Sequence, residues 1–346
     1  MKLTILFGGA SFEHEISIVS AITLKEKLSG FNLSFIFCDN NHKFYLIDPS
    51  KMKATTFSKG EHKKMPQLTI KNDGFEQKKG IFGSKEHNDV VLNLIHGGDG
   101  EDGTVAALLD FFSIKYIGPR VSASVFSFDK RYTKWFCEAR DIKSLKYEMF
   151  SGNEHKNVSI PFPVIVKPAT LGSSIGVSIV KSESELDYAL DCAFEYDANL
   201  IVEPFLEGVK EYNLAGYMVD NKMHFSIVEE PHKEEFLDFE KKYMDFSRSE
   251  QVLKADISDE LVSKLKSLFE KVYRGMFEGA LIRCDFFVVN DEVFLNEINP
   301  IPGSMANYLF EDFKGSLEAL SSSIKHSKRV KVSYDYIHSI SSAKGK

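Results

Sequence analysis

The chain has 346 residues, 43% of them hydrophobic, with four cysteines and a formal net charge of −7. That length predicts two or three domains with real cores, and the negative balance argues against nucleic acid as the main partner, because neutralising phosphates needs a basic surface. No apolar run reaches the length of a membrane span or of a signal-peptide core, so the cytoplasm is the expected location with no membrane partner; Cys38, Cys137, Cys192 and Cys284 lack CxxC or Cys/His spacing, which argues against zinc and against a disulfide framework.

From the N-terminus, KLTILFGG, a helical pattern over residues 15–28 and LSFIFCD predict a strand, a glycine turn, a helix and a second strand, the start of an α/β layer. Glu13 follows the first glycine turn at the carboxyl end of strand one, where α/β sheets place ligands. Helix capping by Glu13 and Glu15 is the plainer alternative. Residues 40–88 are rich in Lys, Asn and Gly, with strand-like FYLI and QLTI, and predict an elaboration of this first unit. DVVLNLIHGGDGEDGTVAALLDFF then repeats strand, glycine loop and helix, which puts His96, Glu101 and Asp102 at the matching strand end, and KYIGP closes the unit.

A helix over residues 130–138 leads to the strands PVIVKPA and VSIVKS, joined by TLGSSIG. The helix SESELDYALDCAFEY follows, with Ser182 and Glu185 spaced as a capping box, and LIVEPFLEG reads as a strand running into a linker. The chain has no GxxxxGK[ST] and no GxGxxG, yet Gly172 and Gly176 would let backbone N–H groups of TLGSSIG wrap a phosphate. Lys130, Lys167 and Glu203 flank this flap; lysines bind nucleotide phosphates as point charges, and the stretch from Glu203 to Leu206 can offer backbone groups to an adenine edge. The strands YNLAGYMV and KMHFSIVE, a charged stretch over residues 229–250 and a helix over residues 259–277 come next.

The run LIRCDFFVVNDEVFLNEINPIPG carries the densest chemistry. Arg283 and Asp285 are two residues apart on one apolar strand, and Glu297 and Asn299 are two apart on the next, so each pair shares a face. A three-residue loop of Asn290, Asp291 and Glu292 would set Asp285 opposite Glu297 and Arg283 opposite Asn299, whereas a two-residue turn would split them. The three-residue register is the expected one. The oxygens of Asp285, Glu297 and Asn299 suit a hard cation such as Mg2+, completed by substrate phosphates. An ion pair on a sheet face is the structural alternative, and the spacing alone leaves both open. Beside the lysines and the glycine flap, the acidic group implies ATP and Mg2+.

Together these pieces resemble the D-alanine:D-alanine ligases of the ATP-grasp superfamily. The matching stretches are GGASFEHEIS, HGGDGEDGT, FDK, VIVKPATLGSSIGVS, VEPFLEG with Glu211, FEKKY and RCDFFVV followed by NEINPIPG, in family order over residues 8–303. The resemblance implies an α/β chain, α+β in its ATP-grasp part: a Rossmann-like domain over residues 1–125, a central ATP-grasp domain over 126–204 and a C-terminal one over 205–346, with a covering loop at about 230–249. It implies nucleotide contacts at Lys130, Lys167, Ser173, Ser174, Glu203, Leu206, Glu211 and Lys242, and a two-Mg2+ site at Asp285, Glu297 and Asn299 in which Mn2+ can substitute. Glu13 matches the residue that holds the first D-alanine amine, Ser173 and Tyr243 match its hydrogen-bonded partners, and His96 corresponds to a residue near the substrate carboxylate and phosphate.

The implied reaction is ATP-dependent ligation of two D-alanines through a D-alanyl phosphate, for peptidoglycan precursor synthesis, with a homodimer as the usual assembly. Arg283 and the Gly303 N–H are the expected donors to the tetrahedral oxyanion; no residue is assigned as the base. Tyr243 favours D-alanine as second substrate over D-lactate or D-serine, the first alternative; a nucleotide-binding module without catalysis is the second. Tyr308, Pro300 and Ala106–Ala107 depart from the family pattern, where a serine, a threonine and Gln-Gly are common.

Overall fold

The computed structural model describes residues 2–79, 83–87, 89–152, 157–231, 254–325 and 331–343. Lys2–Gly8, Asn32–Cys38 and Val90–Asn93 are short, almost wholly apolar strands, the pattern of a parallel sheet buried on both faces. They pair in parallel, with Lys2–Gly8 in the middle and Tyr116–Ile117 beyond Val90–Asn93. On the other side the sheet continues with Phe44–Ile47, Gln67–Lys71, Gly74–Lys79 and Gly83–His87, making eight strands. The elaboration expected over residues 40–88 is therefore an antiparallel extension of the same sheet.

Two antiparallel four-stranded sheets follow. One runs Ser178–Val180, Val164–Pro168, Asn199–Pro204, Glu148–Ser151; the other runs Lys222–Glu229, Lys210–Val219, Ile282–Val289, Glu292–Asn299. Leu3, Phe7, Phe35 and Leu92 of the first sheet share one core with Tyr217, Leu281, Ile301 and Leu317. This packing fixes the mouth of the first sheet against the third. The helix Lys130–Ala139 precedes the second sheet in sequence, yet its Phe136 and Cys137 lie in the third sheet's core beside Phe269 and Phe286.

Local chemistry corrects two expectations. The hairpin Ile282–Val289/Glu292–Asn299 closes with the two residues Asn290 and Asp291, both left-handed (φ 49° and 62°), because a turn of that type matches the right-handed twist of its strands. A bulge between Asp285 and Phe286 then inserts one extra residue on the partner strand, and Asp285 faces Glu297 with Arg283 facing Asn299 after all. The pairing is the expected one; the three-residue loop is not. The second correction concerns Ser182, whose hydroxyl lies 2.9 Å from Ser184 Oγ and makes no cap, while Glu185 accepts from the Lys181 N–H at 2.8 Å. Half of the capping box is present, displaced by one residue.

Candidate active site

Glu13 sits at the N-terminus of the helix His14–Lys27 but makes no cap hydrogen bond with its side chain. It instead accepts from Ser173 Oγ at 2.6 Å, a contact between the first sheet's mouth and the glycine flap 160 residues away. Space for that carboxylate is cut by glycines. A Cβ at Gly97, itself left-handed at φ +63°, would stand 2.6 Å from Glu13 Oε2, and one at Gly172 would stand 3.1 Å from Oε1. The flap's sharp course also uses Ser173 and Ser174 in the left-handed region, at φ 53° and 60°. The loops after Lys2–Gly8 and Val90–Asn93 are tied together by Ser11, whose hydroxyl donates to the His96 carbonyl at 2.6 Å and accepts from the Glu13 N–H.

His96 is buried, with Nδ1 2.8 Å from the Leu94 carbonyl and no well-formed hydrogen bond to Nε2 among the described residues. Removal from water depresses its pKa to about 4, against a weaker pull from the Leu94 and Pro302 carbonyls, so the ring is neutral at physiological pH. Glu101 carries the opposite shift. Removal from water and then the charge of Glu13 push its carboxyl well above the usual range, while the Gly97 N–H and Lys130 pull it down and Glu297 adds to the rise. Glu13, Glu297 and Lys130 are thus close enough for their charges to act on Glu101.

The helix Lys130–Ala139 starts at Asp129, whose carboxylate accepts the Arg131 N–H at 2.9 Å as an N-cap. Its first residue, Lys130, donates to the Leu171 carbonyl of the flap at 2.5 Å and stands 3.9 Å from Glu297 Oε1. One turn on, Lys134 pairs with Oε1 of Glu203, while Lys167 pairs with Oε2 at 2.6 Å. Burial alone would raise the Glu203 carboxyl; the two ammonium groups outweigh it and hold the carboxyl down at about 2. Leu206 and Glu211 are half-buried, and Lys167 feels the charges of Glu203, Glu297 and Glu211.

On the third sheet the cross-strand register lines up Glu229, Asn213, Asp285 and Glu297, one from each strand. Arg283 clamps Asp285 with two parallel bonds, Nε to Oδ1 at 2.7 Å and Nη2 to Oδ2 at 2.9 Å, and Asn299 Nδ2 donates to Oδ2 at 3.0 Å. Burial works against the guanidinium charge, but Asp285 outweighs it and keeps Arg283 firmly protonated. Arg283 Nη1 also meets the Tyr308 hydroxyl at 3.3 Å. Gly303 begins a buried 3-10 segment in which Ser304, Met305 and Ala306 are all left-handed, a conformation that costs about 1–2 kcal/mol per residue and is held by Ser304 N–H donating to Ser20 Oγ at 3.0 Å.

The oxygen donors fit a hard cation in kind, and two carboxylates, Asp285 and Glu297, face each other across adjacent strands. The positive charge at this spot is supplied by Arg283 and Lys130. A cation would need Asp285 to share its clamp and the Asn299 amide to present its oxygen. Lys242 and Tyr243, with most of the expected covering loop, lie outside the described residues.

Three side chains escaped the sequence reading. Lys134 could have been found four residues after Lys130, on the same helix face. Asn213 stands two residues after Glu211, the spacing that singled out the two strands of the hairpin, and Nδ2 of Asn213 binds Glu229 at 3.0 Å. Glu229 was read only as the edge of a charge run.

Two family models match the chain, described as D-ala D-ala ligase N-terminus over residues 2–119 and D-ala D-ala ligase C-terminus over residues 136–313. A D-alanine--D-alanine ligase of Sulfurimonas denitrificans is 72% identical over the full length of both chains, and one of Sulfurovum sp. is 60% identical, again with both chains fully covered. The crystal structure of D-alanine-D-alanine ligase from Helicobacter pylori superposes with a TM-score of 0.84 at 48% identity, covering 95% of this chain and all of that one.

Proposed function

The chain belongs to the D-alanine--D-alanine ligase family, and from that premise we infer that the place where its three sheets meet is where ATP drives the joining of two D-alanines. The activity itself follows from membership: it is an ATP-dependent carboxylate–amine ligase of ATP-grasp fold, acting in cell-wall synthesis. The alternatives with D-lactate or D-serine as second substrate, or with no catalysis, are not favoured by relatives of that name matched end to end.

One observation carries the assignment of residues: the contacts Glu13–Ser173, Lys130–Glu297 and Arg283–Asp285 link the loops and strands of all three sheets, and the charges of Glu13, Glu297 and Lys130 meet at Glu101. In this reading the Glu13 carboxylate and Ser173 hydroxyl hold the first D-alanine by its ammonium, which turns its carboxylate toward the flap. Lys130 and Lys167 hold the triphosphate, with Ser174, Glu203, Leu206 and Glu211 completing the nucleotide contacts. A free carboxylate is too poor an electrophile for an amine, so one of its oxygens attacks the γ-phosphorus, ADP leaves and D-alanyl phosphate forms. The amine of the second D-alanine then attacks the acyl carbon; the C–N bond forms and inorganic phosphate departs. Arg283 and the Gly303 N–H face the oxyanion of that step. His96, neutral and buried, fits a donor or acceptor to bound phosphate that adds no charge of its own.

Mg2+ held by Asp285, Glu297 and Asn299 would supply charge neutralisation on the transferred phosphoryl group. Lys242 and Tyr243, which the resemblance assigns to a covering loop, would complete the site and help keep water from the acyl phosphate. We place the protein in the cytoplasm, as a dimer, with domains at residues 1–125, 126–204 and 205–346. Among the described residues no helix is long and apolar enough to cross a membrane. The acyl-phosphate route is tested with D-alanine carrying 18O in its carboxylate: one labelled oxygen per turnover should appear in the released phosphate, and unlabelled phosphate would refute it.

A further inference from the structure

Glu203 is shared by two lysines that are not equivalent. Its side chain is 4% exposed; Lys134 on Oε1 is 5% exposed and Lys167 on Oε2 is 16% exposed. Lys134 is held a second time, by the Leu145 carbonyl at 3.2 Å, and its ammonium lies 5.7 Å from the face of the Tyr147 ring. Lys167, the more exposed of the two, donates to Glu203 Oε2 at 2.6 Å. A carboxylate this buried cannot lose its only cation without a large desolvation cost, because breaking a buried pair leaves a bare charge.

We propose that Lys134 is a positioning residue for nucleotide binding: as the fixed counter-ion of Glu203, it frees the Lys167 ammonium to turn onto an incoming triphosphate. The proposal rests on the reading of Lys167 as a phosphate contact. With Lys134 in place, Lys167 can leave Oε2 and Glu203 stays compensated through Oε1. Without Lys134, Lys167 is the carboxylate's only partner, and ATP competes with Glu203 for it.

The geometry sets a distinctive pH signature. The groups facing Glu203 are Lys134 and Cys137 from the helix Lys130–Ala139, Tyr147 with its Glu138 partner, Lys167 from the adjacent strand Val164–Pro168, and the more distant charges of Glu211 and Glu297 acting on Lys167 from the third sheet. In the native chain Glu203 remains ionised whether or not Lys167 departs, and adds no pH dependence near neutrality. In Lys134→Met, departure of Lys167 leaves Glu203 bare; its pKa then rises in the nucleotide-bound state above that of the free state, so binding takes up a proton and strengthens as pH falls.

The test is titration of the full chain with the non-hydrolysable ATP analogue AMPPNP at pH 8 and pH 6, together with KM values for ATP and D-alanine. Lys134→Met should weaken AMPPNP at pH 8 by roughly tenfold or more relative to the native chain, and that ratio should shrink severalfold at pH 6, with the KM for D-alanine within twofold of native. Lys134→Arg, which keeps the charge, should stay within about threefold at both pH values. A Lys134→Met ratio near one, a ratio equal at both pH values, or an Arg variant as weak as the Met variant overturns the proposal. Should Lys134→Met not fold, Lys134→Met/Glu203→Gln carries the test, since it leaves no bare carboxylate: AMPPNP affinity equal to that of Glu203→Gln alone supports the proposal, and a further drop overturns it. Lys167→Met separates the two readings. If it leaves AMPPNP affinity unchanged, the phosphate role of Lys167 fails and the proposal with it; if it weakens binding while Lys134→Met matches native, only the role of Lys134 fails.

Discussion

Acidification should cost this protein stability through His96, whose ring is held neutral by burial. In the folded chain the ring titrates at about 4, against 6.5 for a free imidazole. Between those values the unfolded chain binds a proton at this site and the native chain does not, so stability rises with pH across the window and is lost as pH falls from about 6.5 towards 4. At about 1.4 kcal/mol per pH unit, the full depression amounts to roughly 3 kcal/mol, of which about 2 kcal/mol is already lost at pH 5. His96→Asn keeps a side-chain donor to the Leu94 carbonyl but cannot titrate. Urea midpoints at intervals from pH 7.5 to 5 should therefore fall more steeply for the native chain than for His96→Asn, by about 2 kcal/mol over the range. Parallel curves, or an imidazole NMR titration of His96 with a midpoint near 6.5, would refute the argument that burial keeps the ring neutral.

Other substitutions probe the remaining contacts. Arg283→Ala should lower kcat by roughly 100-fold with a smaller change in KM if the guanidinium meets the oxyanion, and an unchanged kcat rejects that role. Gly97→Ala forces a side chain into a left-handed residue and drives its Cβ to 2.6 Å from Glu13 Oε2. It should cost about 1–2 kcal/mol in stability and raise KM for D-alanine more than KM for ATP; equal effects on both would place Glu13 elsewhere. Asp291→Gly relieves a φ of 62° in the hairpin turn and should stabilise the chain by about 0.5–1 kcal/mol, whereas a loss in thermal unfolding would contradict the two-residue turn.

Much of the fold was legible because its signals are local. The parallel strands are nearly unbroken apolar runs, and the glycines after Phe7 and His96 mark where separate stretches of chain approach closely. The pairs Arg283/Asp285 and Glu297/Asn299 follow from alternation along a strand, which needs no knowledge of the partner. What stayed hidden depends on partners distant in sequence. The bulge that restores the Asp285–Glu297 pairing has no marker residue, so the turn length was inferred from the wrong device. Glu13 could equally have been a helix cap until Ser173 was brought to it. Lys134 reads as an ordinary helix-surface lysine unless Glu203 is known to face it. The row from Glu229 to Glu297 exists only once four strands are in register.

The most direct test of the account is product analysis with the purified chain, ATP, Mg2+ and saturating D-alanine. One D-alanyl-D-alanine should form for each ADP released, with neither D-alanyl-D-lactate nor D-alanyl-D-serine competing when those second substrates are added. ADP release without dipeptide, or preferential formation of either mixed product, would contradict it.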